Sequence, residues 1–451
     1  MVIALLAALA IVGGDGGLPV KTPAAVGMSA ARLKVIDRVV ERGIHAGGFP
    51  GAAVVVGRKG AVVWEKGFGR IDWKSSSARV SPTQTEYDLA SLTKVVGTTT
   101  AIMILYDKGL FKLDDPVVKY LPEFGGGEKD SVTIRELLEH RSGLPADREL
   151  WRLASSPEQA RQIVLSTPLE YKPGSQYVYS DLGAMTLGFL VEKLSGQPLD
   201  EYLSMWVFQP LGMTNTYYRP ADSVKYRTAP TEDTPPRGYP LQGEVHDENA
   251  YALGGVAGHA GLFSTAGDLS IFAQMILNGG EYNGLRIVAD STIKVFTHRA
   301  AGSRALGWAM ADGQWGSGRY LSDEAFGHVG YTGTSMWIDP DRDMFVILLT
   351  NRVHEPRARR PEKVISDIRA DLSDAAAVAV TDDPDQLIAM PVSFRADRAS
   401  GWNHVVRRHH RRVRHRGTKS SVRIAKHHTV TSSHGKKAVA TAKKKKAAHS
   451  K

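Results

Sequence analysis

The chain has 451 residues, no cysteine and a formal net charge of +10 at pH 7. That length can build a sizeable core in two or three domains, and the lack of cysteine excludes disulfides and thiolate metal sites without choosing a compartment. The charge is uneven: residues 401–451 hold 16 Lys and Arg and no Asp or Glu, leaving 41 basic against 47 acidic residues elsewhere. The body therefore carries no nucleic-acid footprint.

The opening run "MVIALLAALAIVGG" is apolar but too short to span a bilayer as a helix. It resembles a signal-peptide h-region with Ala8-Leu9-Ala10 as a weak cleavage candidate, although no basic n-region precedes it, as if the true start lay upstream. A leader over 1–22 and an extracytoplasmic location, periplasmic or secreted, are expected. "SAARLKVIDRVVERGIHAGG" (29–48) predicts an amphipathic helix capped by Ser29. "GAAVVVGRKGAVVWEKGFG" (51–69) predicts a hairpin around Arg58-Lys59-Gly60.

"YDLASLTKVVGTTTAIMILYD" (87–107) predicts a helix from about Ser91 to Gly109, apolar on most faces, with Lys94 as the only formal charge between Asp88 and Asp107. A buried ammonium needs partners or loses its proton. Ser91 and Lys94, three apart, share a helix face, and a desolvated lysine beside a serine can make it nucleophilic. The alternative is a lysine whose head snorkels to water. The S-x-x-K spacing recurs at Ser291/Lys294 and Ser433/Lys436. The second pair reads as a surface helix start capped by Asp290 or Ser291, and the third lies in a polar tail.

From about 90 to 300 the pattern is mostly helical, broken by Gly/Pro loops, and "TSMWIDPDRDMFVILLT" (334–350) predicts a second hairpin around Asp339–Asp343. A helical stretch follows to about 375. Strands near both ends with helices between predict an α+β chain: one antiparallel sheet from the two ends, flanked by helices, with a mostly helical second lobe and a cleft where the lobes meet. Residues 376–400 read as a linker, and 401–451 as a disordered basic tail.

No G-x-S-x-G, H-E-x-x-H or Walker loop occurs, and no cofactor or metal is expected. "GGVAGHAG" (254–261) reads as a tight loop against which something packs. Two stretches stand with Ser91-Leu92-Thr93-Lys94: Tyr179-Ser180-Asp181 at the mouth of a second apolar helix, and His328-Val329-Gly330 leading into a strand. In that order they resemble the S-x-x-K, Y-x-N and K-T-G motifs of serine β-lactamases and penicillin-binding proteins, closest to the class C branch. The flanks "LFKLDDPVVKYLPEF", "VTIRELLEHRSGLP", "EYKPGSQYVYSDLG" and "GGVAGHAGLFSTAGDLS" match as well. The resemblance covers roughly residues 25–375, with the helical lobe inserted between the strands.

The resemblance implies Ser91 as acylated nucleophile, Lys94 as its activating partner and Tyr179 as general acid/base. It implies an oxyanion hole from the backbone N–H of Ser91 and of Tyr331, just after Gly330. Asp181 stands where the branch has Asn; ionised, it only accepts hydrogen bonds, and it could hold Lys94 or Tyr179 instead of a substrate carbonyl. His328 replaces the lysine that helps recognise a substrate carboxylate, and a largely neutral imidazole is a weaker anchor. Efficient β-lactam hydrolysis is not expected from this pair. "GEVHDENAYALGGVAGHAGLFS" is similar to a branch of muropeptide amidases and D-alanyl-D-alanine carboxypeptidases. His246 and His259 within it read as binding or loop-shaping groups.

The expected function is a serine hydrolase that acts through an acyl-enzyme at Ser91 on amide bonds of peptidoglycan-derived peptides, its substrate a small molecule or muropeptide, with an esterase or a non-catalytic envelope sensor or tether as alternatives. The tail reads either as a solvated extension or as a binder of envelope polyanions; no specific nucleic-acid partner and no transmembrane span are expected. His409-His410 and His427-His428 are assigned no function.

Overall fold

The N-terminal hairpin forms as its turn chemistry requires: β1 (Gly51–Arg58) and β2 (Ala61–Gly69) are joined by Lys59 and Gly60, both at positive φ. Near the other end come β3 (Ala309–Met310), β4 (Phe326–Val329), β5 (Ser335–Asp339) and β6 (Met344–Thr350). They make one antiparallel sheet in the order β2-β1-β6-β5-β4-β3, with Ala52 opposite Thr350. The sheet thus joins the two ends of the domain, as the two hairpin patterns predict. The computed structural model describes residues 17–233, 235–354, 362–383, 387–398 and 402. Most of the leader, nearly all of the basic tail, Ser433/Lys436 and the paired tail histidines lie outside the described residues.

Every residue of β1 and β6 is buried because both sheet faces are covered. With a side-chain period of two, Ala53, Val55, Phe345, Ile347 and Leu349 enter the core shared with the helical lobe. Val54, Val56, Met344, Val346 and Leu348 face a second core beneath α1 (Val35–His45) and α5 (Glu362–Val378). Each fully buried aliphatic side chain contributes roughly 1.5–3 kcal/mol. The expected 29–48 helix breaks at Lys34: a short turn, Ala30–Leu33, capped by Ser29 accepting from Arg32 N (3.4 Å), precedes α1.

In the helical lobe, a π-helical turn Lys94–Thr99 runs into α2 (Thr100–Asp107), followed by Gly109 at φ +68°. Helix α3 (Asp181–Ser195) is capped by Ser180, and α4 (Ala266–Leu277) lies against β1 and β6. The Ser291/Lys294 pair sits on a surface helix, Asp290–Thr297, where Lys294 faces solvent and pairs with Asp290 at 2.6 Å. Neither Asp290 nor Ser291 caps it; Ala289 takes that position and its N–H donates to Asp107 Oδ2 (2.6 Å) at the end of α2. Among the described residues no helix is long and apolar enough to cross a membrane.

The stretch from 376 onward does not behave as a free linker in its described part. Helix α5 continues to Val378, Val380 bridges to Met28, and Phe394 and Ala396 are buried in the second core. Asp371 and Asp374, facing inward from α5, hold Arg395 at 3.0 and 2.6 Å. One phenylalanine and one ion-paired arginine leave too faint a local pattern to be read from composition.

Candidate active site

The chain reaches Ser91 through a strained turn. Strand Tyr87–Asp88 pairs with Leu262–Ser264, and Ala90, just before the serine, sits at φ +46°. A non-glycine residue there costs of order 1–3 kcal/mol unless its surroundings fix it. Asp88 does so: its Oδ1 accepts from Ala90 N (2.8 Å) and its Oδ2 from His246 N (2.7 Å). The sheet fastens the same turn, since Thr332 Oγ1 donates to Asp88 O (2.7 Å) and Thr334 Oγ1 to Leu89 O (3.0 Å). Gly330 is required here, because a Cβ would lie 2.3 Å from Leu89 O and 2.1 Å from Thr334 Oγ1.

Lys94 is 3 % exposed and is not a snorkelling residue. Its Nζ has three oxygens close by: Ser91 Oγ at 2.8 Å, His259 O at 3.1 Å and Asp181 Oδ1 at 2.7 Å. The contacts to Ser91 and His259 are hydrogen bonds, and Asp181 supplies the opposite charge as a close ion pair. Burial alone would push its proton off, but Asp181 and Tyr179 reverse that and hold Lys94 above the usual lysine value. Asp181, in the first turn of α3, also lies in the favourable field of that helix's N-terminus.

Tyr179 lies over Lys94, whose Nζ is 5.0 Å from the ring centroid, and its ring packs against His140 (4.6 Å) and His328 (6.0 Å). Both imidazoles are buried and neutral: burial, then the charges of Arg304 and Lys94, push their pKa well below the usual histidine value. His140 Nδ1 accepts from Ser180 N (3.1 Å), and His328 Nδ1 lies 2.9 Å from Val329 O. His328 is thus no fixed charge. His328→Lys would place an ammonium beside Arg304 and Lys94, and is expected to lower the melting temperature by at least about 3 °C, readable by calorimetry.

His259 serves Lys94 with its carbonyl, while its ring Nε2 meets Asp247 Oδ1 at 2.9 Å. Burial alone would raise the Asp247 carboxyl, but His259 reverses this and holds it well below the usual range. His246 likewise points elsewhere, Nε2 to Glu232 Oε1 at 2.9 Å, with its ring 5.7 Å from that of Tyr331. The "GGVAGHAG" loop is packed as expected: a Cβ on Gly258 would lie 2.1 Å from Ala184 O of α3. Tyr331 is half exposed, and its carbonyl accepts from Arg352 Nε at 2.8 Å.

Ser91, Tyr179, His328, Gly330 and Tyr331 line one cavity of about 380 Å³. Arg304, Trp315, Arg352 and Arg369 line it too. Sequence reading passed over these four, together with Asp88 and His140. His140 lies in "HRSGLP", a flanking stretch outside the three motifs, and Arg304 in "GSRALGWAM" carries no local signal at all.

The beta-lactamase family model matches residues 36–369. The chain belongs to the beta-lactamase family. It is a serine hydrolase of that family, with the antiparallel sheet and flanking helices of the β-lactamase/transpeptidase-like fold. A putative D-alanyl-D-alanine carboxypeptidase of Escherichia coli K12 is 33 % identical over 75 % of this chain and 86 % of its own. An N-acetylmuramyl-L-alanine amidase of Bacillus subtilis 168 is 36 % identical over 73 % and 82 %. Among solved structures, EstCE1, a hydrolase with promiscuous acyltransferase activity, aligns with TM-score 0.62 at 25 % identity over 77 % of this chain and 99 % of its own. A penicillin-binding protein homologue from Caulobacter crescentus aligns with TM-score 0.59 at 22 % identity over 75 % and 97 %, which speaks for the fold alone.

Proposed function

We propose that the protein hydrolyses amide bonds of peptidoglycan-derived peptides through an acyl-enzyme at Ser91. The observation that carries this is Ser91 Oγ 2.8 Å from a buried lysine that Asp181 holds charged. An ammonium cannot accept the serine proton, so Tyr179 relays it: its hydroxyl oxygen takes the serine proton as it gives its own to the leaving nitrogen. Lys94 then stabilises the negative charge that develops on Ser91 and Tyr179 oxygens. The N–H groups of Ser91 and Tyr331 receive the oxyanion. The carboxypeptidase and amidase relatives support a cell-wall amide as substrate and an extracytoplasmic setting.

A neutral His328 favours a second reading, an esterase, because a small ester needs no anion anchor. Intact-mass measurement after exposure to a fluorophosphonate and, separately, to a penicillin tests both. Label from both supports penicillin-type recognition; label from the fluorophosphonate alone supports an amidase or esterase without it. No label rejects the acyl-enzyme and favours a non-catalytic sensor.

The basic tail is proposed to tether the domain to envelope polyanions through point charges. The full chain is expected to bind anionic vesicles at low salt and to release them as screening shortens to about 10 Å at 0.1 M. A chain ending at residue 400 should not bind in a sedimentation assay; equal binding rejects the tether.

A further inference from the structure

Cations crowd the cavity in front of Ser91, and most of them are already committed. Arg369 donates to Gly330 O (2.6 Å) and Thr334 O (2.8 Å), so it holds the turn that carries Tyr331. Arg352 donates to Tyr331 O and lies 3.6 Å from Glu362. Lys94 is surrounded by its three oxygens.

Arg304 differs. It is 2 % exposed, and its guanidinium donates to a single protein acceptor, Gly307 O at 3.2 Å, while its buried Nε has no hydrogen-bond partner. Among the described residues no carboxylate pairs with it. The side chains around it are the phenols of Tyr177 and Tyr179 and the imidazoles of His140 and His328, both of which burial keeps neutral. A buried guanidinium without a counter-charge is costly, and the cost falls when an anion binds. Its planar fork matches a carboxylate through two parallel hydrogen bonds.

We infer that Arg304 is the anchor for a substrate carboxylate, so that the preferred substrates carry a carboxylate within one small cavity's length of the bond that Ser91 attacks. The inference rests on the acyl-enzyme reading. It gives to Arg304 the charge that is missing at His328, and it favours acid-terminated peptides over neutral esters. The cavity, about 380 Å³, is of small-ligand size.

The test is protection from fluorophosphonate labelling by N-acetyl-D-alanine and by its carboxamide. In the wild-type protein the acid should halve the labelling rate at about a tenth of the concentration the amide needs, the size of one charge-assisted hydrogen bond. In Arg304→Gln the two should protect alike. Where Arg304→Gln takes no label, Arg304→Lys decides: a preference for the acid reduced about threefold or more supports the fork, and an unchanged one overturns it. Equal protection of the wild-type protein by acid and amide overturns the anchor. A wild-type protein that takes no label overturns the acyl-enzyme reading instead, so the two failures are distinct.

Discussion

Ser91→Ala is expected to lower hydrolysis of a simple aryl ester by about three orders of magnitude or more, whereas Ser291→Ala stays near wild type. The two serines share the same S-x-x-K spacing, and their surroundings separate them. Ser91 Oγ lies 2.8 Å from a lysine that is 3 % exposed. Lys294 instead projects into solvent and pairs with Asp290, and such surface pairs are worth about 0–1 kcal/mol. Initial rates with each purified variant, matched for melting temperature, decide the point. Comparable losses from both substitutions would remove Ser91 from its assigned role.

Asp181→Asn is expected to move the alkaline limb of the kcat/KM profile to lower pH by about one unit or more. Burial pulls the Lys94 ammonium toward its neutral form, and the Asp181 carboxylate, with Tyr179 beside it, is the largest influence opposing this. An amide carries no charge to replace it. With the ammonium as the working form, activity disappears as pH rises through the lysine's pKa, and that pKa falls in the variant. A merely structural effect would scale the rate equally at every pH. The pair also stabilises the fold, and the sign follows from the raised lysine value. Its contribution is complete below the ordinary lysine pKa of about 10.4 and is lost only as pH climbs through the raised one. The variant should therefore melt lower than wild type at pH 7. An unmoved alkaline limb would mean that Asp181 does not control the charge on Lys94.

Ser91, Lys94 and Tyr179 are legible as a candidate set because each sits near a helix start with a short local pattern around it. Both hairpins were legible from turn residues and strand period. The departure at Asp181 was legible too, since a carboxylate that cannot donate has few uses beside a buried lysine, and it does pair with Lys94. Arg304 was not. An arginine's burial depends on which elements close over it, and Tyr177, His140 and His328 reach it from three different parts of the chain. Asp88 was opaque for the same reason, because its partners Ala90 and His246 are separated by more than one hundred and fifty residues. The roles of His246 and His259 became clear only from the direction each ring faces. Lys34 carries no Gly or Pro to announce the break between the first two helical segments.

The pairing of β1 with β6 sets an order of events during synthesis. β1 emerges early with its hairpin partner β2, yet its other edge waits for β6, whose residues 344–350 leave the ribosome almost three hundred positions later. A two-stranded hairpin alone is marginally stable in water, and an open edge recruits other strands. The helical lobe, rich in local contacts, can condense in the interval, but the sheet cannot close until the last strand arrives. Nascent chains therefore pass through a long window with a valine-rich edge uncovered. Released chains that stop before residue 344 should be degraded or aggregate rather than accumulate as folded lobes.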